Sequence, residues 1–338
     1  MMKTLLNIFF ILTTTLSVSA QWNTFNVATE SSFRGISVVD KNTIWASGTG
    51  GTFVRTINGG KTWKVGRVPG AENLDFRDIE AFGADTAYLL SIGEGSSSRI
   101  YKTIDGGENW TLQFTNKNSL AFFDALAFWD RDHGIAMSDP VDGHFYLAET
   151  DDGGLTWRLL SQSSSPSAMK GEAAFAASGT CIVARGSKTL WMATGGSIAR
   201  VHKSTDGGRT WTPYQVPIGA GNSSAGIFSL SMADDLHGIA VGGEYTKPFL
   251  STDTGAVTAD GGKTWQKVTG LGGYRSGAAY ITRSIVVAVG TNGSDISYNG
   301  GIEWKKLDAA DYNAVASAGR NATWAVGPKG RIAKLRIP

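Results

Sequence analysis

Three arginines stand at comparable points of a recurring segment: Arg34 in FRGI, Arg77 in FRDI and Arg275 in YRSG. A guanidinium is a planar, permanently charged fork that can hold a carboxylate through two hydrogen bonds. Around these arginines the sequence offers Arg99, Lys247 and the phenols Tyr245 and Tyr274, with carboxylates at Glu94, Asp139, Glu172 and Glu244. Such a set can grip an acidic group while the rings supply apolar contact. The same Arg and Glu side chains can instead pair with one another across a channel, as structural ion pairs with no ligand.

Other chemistries find little support. His133 and His237 both stand in HGIA, where the repetition argues for a turn role, and His144 and His202 have no partners at metal-ligand spacing. One cysteine, Cys181 in the apolar run CIVA, permits neither a disulfide nor a thiolate metal site. No GxSxG elbow, Rossmann fingerprint or phosphate loop occurs, and GTGG (48–51) and GTNG (290–293) read as strand-to-strand turns. No metal and no cofactor are expected.

Six copies of a short box set the frame for these residues. They are TINGGKTW (56–63), TIDGGENW (103–110), TDDGGLTW (150–157), STDGGRTW (204–211), TADGGKTW (258–265) and SYNGGIEW (297–304). Asp or Asn before Gly-Gly makes a tight turn, because Gly accepts positive φ and Asx side chains bond nearby backbone. The closing Trp can wedge between neighbouring sheets. Asn58 and Asn299 replace Asp, and Asn109 and Glu303 replace the Thr before Trp; this tolerance fits a turn and a plug, not a catalytic acid. Units of about 45 residues suit four-stranded propeller blades.

The expected fold is therefore all-β: a seven-bladed β-propeller of four-stranded antiparallel blades over 21–338, with six blades as the alternative. FRDIEA (76–81), TAYLLSI (86–92), RIYKT (99–103) and NWTLQF (109–114) give the strand order A to D. Similar quartets begin near Phe33, Phe122, Glu172, Gly226 and Ser276. After the sixth box only three strands remain, in AVASAG, TWAVG and RIAKLRI, so QWNTFNVA (21–28) must supply the fourth and close the ring. Closure removes exposed sheet edges. The boxes then share one face with the A–B turns, and the D–A and B–C loops share the channel mouth. Arg34, Arg77, Glu172, Tyr274 and Arg275 fall on D–A connections. Glu94, Arg99, Asp139, Glu244, Tyr245, Lys247, Asp295 and Lys329 fall on B–C connections.

Composition agrees. Gly is abundant at 44 and Pro sparse at 8, as strands joined by tight turns require. The net charge of +2 provides no bulk field for nucleic acid or anionic lipid. Lys3, the apolar stretch Leu5–Leu16 and Val18-Ser19-Ala20 form an export signal with cleavage expected after Ala20. No second apolar run could span a membrane. A monomer in the periplasm or outside the cell is expected.

The boxes resemble the bacterial neuraminidase repeat, or Asp-box. FRGISVVDKNTIWASG (33–48), SRIYKTIDGGENW (98–110), HGIAMSDPVDG (133–143) and AVGPKGRIAKL (325–335) resemble propellers related to the photosystem II stability/assembly factor. That resemblance implies an exported scaffold that captures another protein through an Arg-containing patch. The partner would be an exported or membrane protein, or an acidic glycan. A more distant similarity to sialidases implies a glycoside hydrolase or glycan-binding module. In that reading three arginines hold a carboxylate, Tyr274 is the nucleophile, Glu172 or Glu244 activates it, and Asp139 is acid/base. Against it, FRGI lacks the Pro of the sialidase motif, and adjacent Tyr274 and Arg275 point to opposite faces of a strand.

Overall fold

The computed structural model describes residues 20–337; apart from Ala20, the export signal expected over 1–20 lies outside the described residues. Seven antiparallel sheets form the ring, so the seven-bladed expectation holds and the six-bladed alternative does not. Blade 1 comprises Phe33–Val38, Ile44–Gly48, Thr52–Thr56 and Lys64–Arg67. Blade 2 comprises Phe76–Ala81, Ala87–Ser91, Arg99–Thr103 and Thr111–Thr115. The inner strands of blades 3 to 7 are Phe123–Phe128, Ile182–Arg185, Ala225–Met232, Gly277–Tyr280 and Ala314–Ser317.

Blade 7 closes the ring as expected. Gln21–Phe25 pairs antiparallel with Ile332–Arg336, from Gln21 opposite Arg336 to Phe25 opposite Ile332. Trp22 Nε1 also donates to Ser294 Oγ of blade 6 at 2.9 Å. The chain's two ends thus share one sheet, which leaves no open blade.

Second strands such as IWASG, AYLLS and VVAVG are buried along their whole length, sandwiched between neighbouring blades. Their aromatic residues stitch one blade to the next: Trp45 donates to Gly83 O, Tyr88 to Gly153 O and Trp191 to Gly261 O. Inner strands are tied by side-chain oxygens. Asp78 accepts from Leu126 N at 2.7 Å and Ser229 from Ala278 N at 3.1 Å. Such bridges satisfy backbone donors that diverging blades cannot pair with each other.

The boxes do structural work throughout. In the third, Thr150 Oγ1 accepts from Gly154 N at 2.8 Å and donates to Asp152 Oδ1 at 2.9 Å. Asp152 also accepts from Thr156 N and Thr156 Oγ1. The sixth box keeps the pattern with Ser297 and Asn299. Both box glycines take positive φ, for instance 68° and 79° at Gly153 and Gly154, a region that only glycine enters freely.

One expected boundary moves. Glu172 does not open the inner strand of blade 4. Glu172–Ala173 pairs instead with Gly195–Gly196, on the sheet of blade 5, and blade 4 begins at Ile182. Residues 172–181 therefore form a strap between blades. Among the described residues, no helix is long and apolar enough to cross a membrane.

Candidate functional site at the channel mouth

Bulges in the inner strands build this site. The strand register shifts between Phe33 and Gly35, Phe76 and Asp78, Phe123 and Ala125, and Ile227 and Ser229. Each shift leaves one residue out of the ladder: Arg34, Arg77, Asp124 and Phe228. A bulge re-aims its side chain, and four blades repeat the device at one height of the channel. Three of these residues, Arg34, Arg77 and Phe228, line a cavity of about 340 Å³ at the mouth.

Its two cations differ in how well they are satisfied. Arg77 Nε pairs with Asp75 at 2.8 Å, and its Nη1 donates to Ala176 O at 3.0 Å. Arg34 makes only a long hydrogen bond, 3.4 Å, to Ala177 O, and among the described residues no carboxylate lies within ion-pairing distance. Burial, and then the neighbouring charge of Arg77, push the Arg34 pKa down from its ordinary value. A half-buried guanidinium with spare donors is a ready binding site for an anionic group.

Aromatic rings form the other wall. Phe175 of the strap stacks on Phe228 with centroids 4.0 Å apart and planes 11° apart. Tyr274 meets Phe228 edge-on at 4.8 Å and 89°, and Tyr245 approaches it at 6.2 Å. Burial raises the Tyr274 hydroxyl pKa, while the charges of Arg34 and Arg77 pull it down. Ser276, Thr291 and Asn313 complete the polar edge.

Carboxylates hold the strap beneath the mouth. Asp139 accepts from Ala174 N at 2.8 Å, and burial pushes its carboxyl up to about 6. Asp124 is raised further, by burial and then by the charge of Asp139. Glu172 is wholly enclosed, paired with Arg200 and bonded to Thr194 and His202. Burial opposes its ionisation, yet hydrogen bonds from His202, Arg200 and Thr194 bring it to about 2.

The structure thus brings together Arg34, Arg77, Tyr245 and Tyr274, and separates the other candidates. Arg275 is 1% exposed; it pairs with Asp295 at 2.5 Å and also donates to Asn292 and Tyr274 O. Tyr274 lines the cavity and Arg275 does not; both lie in the loop before the inner strand of blade 6. Glu244 is engaged with Lys247 and Thr246. Arg99 donates to Ser96 O and Tyr101, away from the cavity. Glu94 contributes a backbone bridge to Phe122. Reading for charge overlooks Phe175, Phe228, Ser276 and Asn313. Aligning FRGI, FRDI, FDAL and IFSL would reveal Phe228 as the counterpart of Arg34 and Arg77.

The chain is a closed β-propeller with Asp-box turns and an open, cationic and aromatic mouth. Residues 14–118 match the family model of the photosynthesis system II assembly factor YCF48. The photosystem II assembly lipoprotein Ycf48 of Synechococcus sp. (strain CC9902) is 26% identical over 257 residues, 73% of this chain. The match spans 66% of that relative's length, just under two thirds. The chain is a propeller similar to the photosystem II assembly factors.

Solved structures agree on the fold. YCF48 bound to a D1 peptide superposes with a TM-score of 0.65 at 14% identity, covering 96% of this chain and all of that one. YCF48 from Cyanidioschyzon merolae gives 0.63 at 17%, covering 94% and 99%. A GH74 xyloglucanase from Xanthomonas campestris gives 0.61 at 15%, covering 93% of this chain and 53% of its own.

Proposed function

We propose that this protein is an exported binding scaffold that takes an acidic segment of a partner protein into the channel mouth. The observation that carries this reading is Arg34, half-buried, beside a second guanidinium, and without a carboxylate partner among the described residues. Arg34 and Arg77 supply the charge-assisted donors, and Tyr274, Tyr245 and the Phe175–Phe228 stack supply apolar contact. A structural neighbour holds a D1 peptide and the Synechococcus relative is an assembly lipoprotein; both support a protein partner and an exported location. The partner class is an exported or membrane protein.

Catalysis at the mouth lacks its reagents. Among the described residues no Asp or Glu lines the cavity, so none of them stands there as a base for Tyr274 or as an acid for a leaving group. Glu172, Asp139 and Glu244 are held elsewhere, and two arginines line the cavity instead of three. The sialidase-like reading therefore stands only as an outcome of the test.

That test is capture from the exported proteome, followed by binding of the identified partner to the Arg34→Ala/Arg77→Ala double variant. Loss of a desolvated charge pair costs about 2–5 kcal/mol, so affinity should fall by roughly 30-fold or more, with the melting temperature nearly unchanged. Undiminished capture overturns the proposal. Turnover of a sialoside or other glycoside, lost in Tyr274→Phe or Glu244→Gln, would replace it with an enzyme.

A further inference from the structure

Far from the mouth, on the face that carries the boxes, a groove of about 720 Å³ opens between blades 5 and 6. The second residue of the box is Ile57, Ile104, Asp151, Thr205, Ala259 and Tyr298 in turn, and Ala259 is the smallest. Trp265 and Tyr280 line the groove, with Ala259, Val257 and Ile302 beside them. Trp265 is half-buried, anchored by its Nε1 to Gly262 O at 3.0 Å, and packs one side against the blade core. Tyr280 is held by its hydroxyl on Gly300 O at 3.1 Å. Both rings are therefore fixed before any ligand arrives.

The polar wall is equally fixed. His237 Nδ1 lies 2.9 and 3.0 Å from the two oxygens of Asp234, whose Oδ1 also accepts from Leu236 N and His237 N. With its proton on Nδ1, the imidazole leaves Nε2 to accept from Arg283 Nη2 at 2.9 Å. Arg283 Nε sits 3.5 Å from Asp234, so the guanidinium is charge-compensated but keeps free N–H donors. Gln266 adds an amide group, while that of Asn299 is engaged within its own box. The matching groove between blades 3 and 4 is different. It measures about 390 Å³ and is filled by ion pairs of Arg158 with Glu149 and Asp151, and of Arg209 with Glu149.

We infer that the blade 5–6 groove binds a neutral saccharide chain. A sugar ring offers an apolar C–H face and a rim of hydroxyls that both donate and accept. Fixed aromatic surfaces bordered by amide, imidazole and guanidinium groups match both aspects. Phosphate or carboxylate ligands would call for an uncompensated cation, and Asp234 neutralises the one present. This site is separate from the mouth and does not rest on the scaffold reading.

Affinity electrophoresis and calorimetry of the purified chain test it, with laminarin, barley β-glucan, xyloglucan and galactomannan as neutral probes and alginate as the acidic control. At least one neutral polysaccharide should retard the protein. Ala259→Tyr sets a bulky ring on the groove's lining, and should lower affinity about tenfold or more at an unchanged melting temperature. Arg283→Ala should weaken binding, while Arg34→Ala should not. Retardation that survives Ala259→Tyr, retardation by alginate alone, or no retardation by any neutral probe overturns the inference.

Discussion

A box threonine shows how much one hydroxyl can organise. Thr150 is 4% exposed, accepts from the buried Gly154 N and orients Asp152, which in turn closes the turn through Thr156. Thr150→Val keeps the shape but leaves Gly154 N without its partner. Orphaning a buried donor costs about 1–3 kcal/mol, so thermal denaturation should show a melting temperature lower by several degrees. An unchanged melting curve would mean that the turn holds itself by glycine geometry alone. At the mouth the proposed role of Arg34 gives the opposite logic: with no carboxylate partner among the described residues, its loss should be felt in binding rather than in stability.

Elements decide which of the charged residues can meet. Inner-strand bulges turn Arg34 and Arg77 into the channel, while the strap of residues 172–181 brings in Phe175 and buries Glu172. Asp139 anchors that strap, and its pH response follows. Its folded pKa, raised by burial to about 6, lies above the unfolded value of about 3.9, so the folded state holds the extra proton between these limits. Stability therefore falls as pH rises through this window. Box acids act in the other direction. Hydrogen bonds hold Asp105 and Asp152 at about 2, so their contribution is complete above about pH 4 and is lost as pH falls towards 2. Melting temperatures should be higher near pH 5 than near pH 7.5, and Asp139→Asn should shrink that difference. An identical pH profile for the variant would remove Asp139 from the account.

Closure belongs to the whole molecule. Five residues, Gln21–Phe25, convert an open stack of blades into a ring by pairing with Ile332–Arg336. Deleting them would leave Ile332–Arg336 as an unpaired edge, open to another copy of the chain. Light scattering should then find soluble oligomers or aggregates, with a lower melting temperature. A monomer of undiminished stability would show that the other blades hold the ring unaided.

Six boxes at blade-sized spacing, a C-terminal remainder short of one strand and an N-terminal segment of strand character were enough to specify the propeller and its closure. These signals are local: turn chemistry and strand periodicity are written in neighbouring residues. The quartet expected at Glu172 failed because an excursion between blades carries no marker that separates it from an inner strand. The site was legible only in part. Arg34, Arg77, Tyr245 and Tyr274 could be placed on the mouth from topology, since loop order fixes which face a residue joins. Whether a charge is free or spent depends on partners distant in sequence. Asp295 occupies Arg275 from 20 residues away, and Arg200 occupies Glu172 from 28. Phe175 and Phe228 stack across 53 residues of chain (228 − 175). The sequence determined the ring and the face; only packing in three dimensions decided which arginine on that face is left with donors to offer.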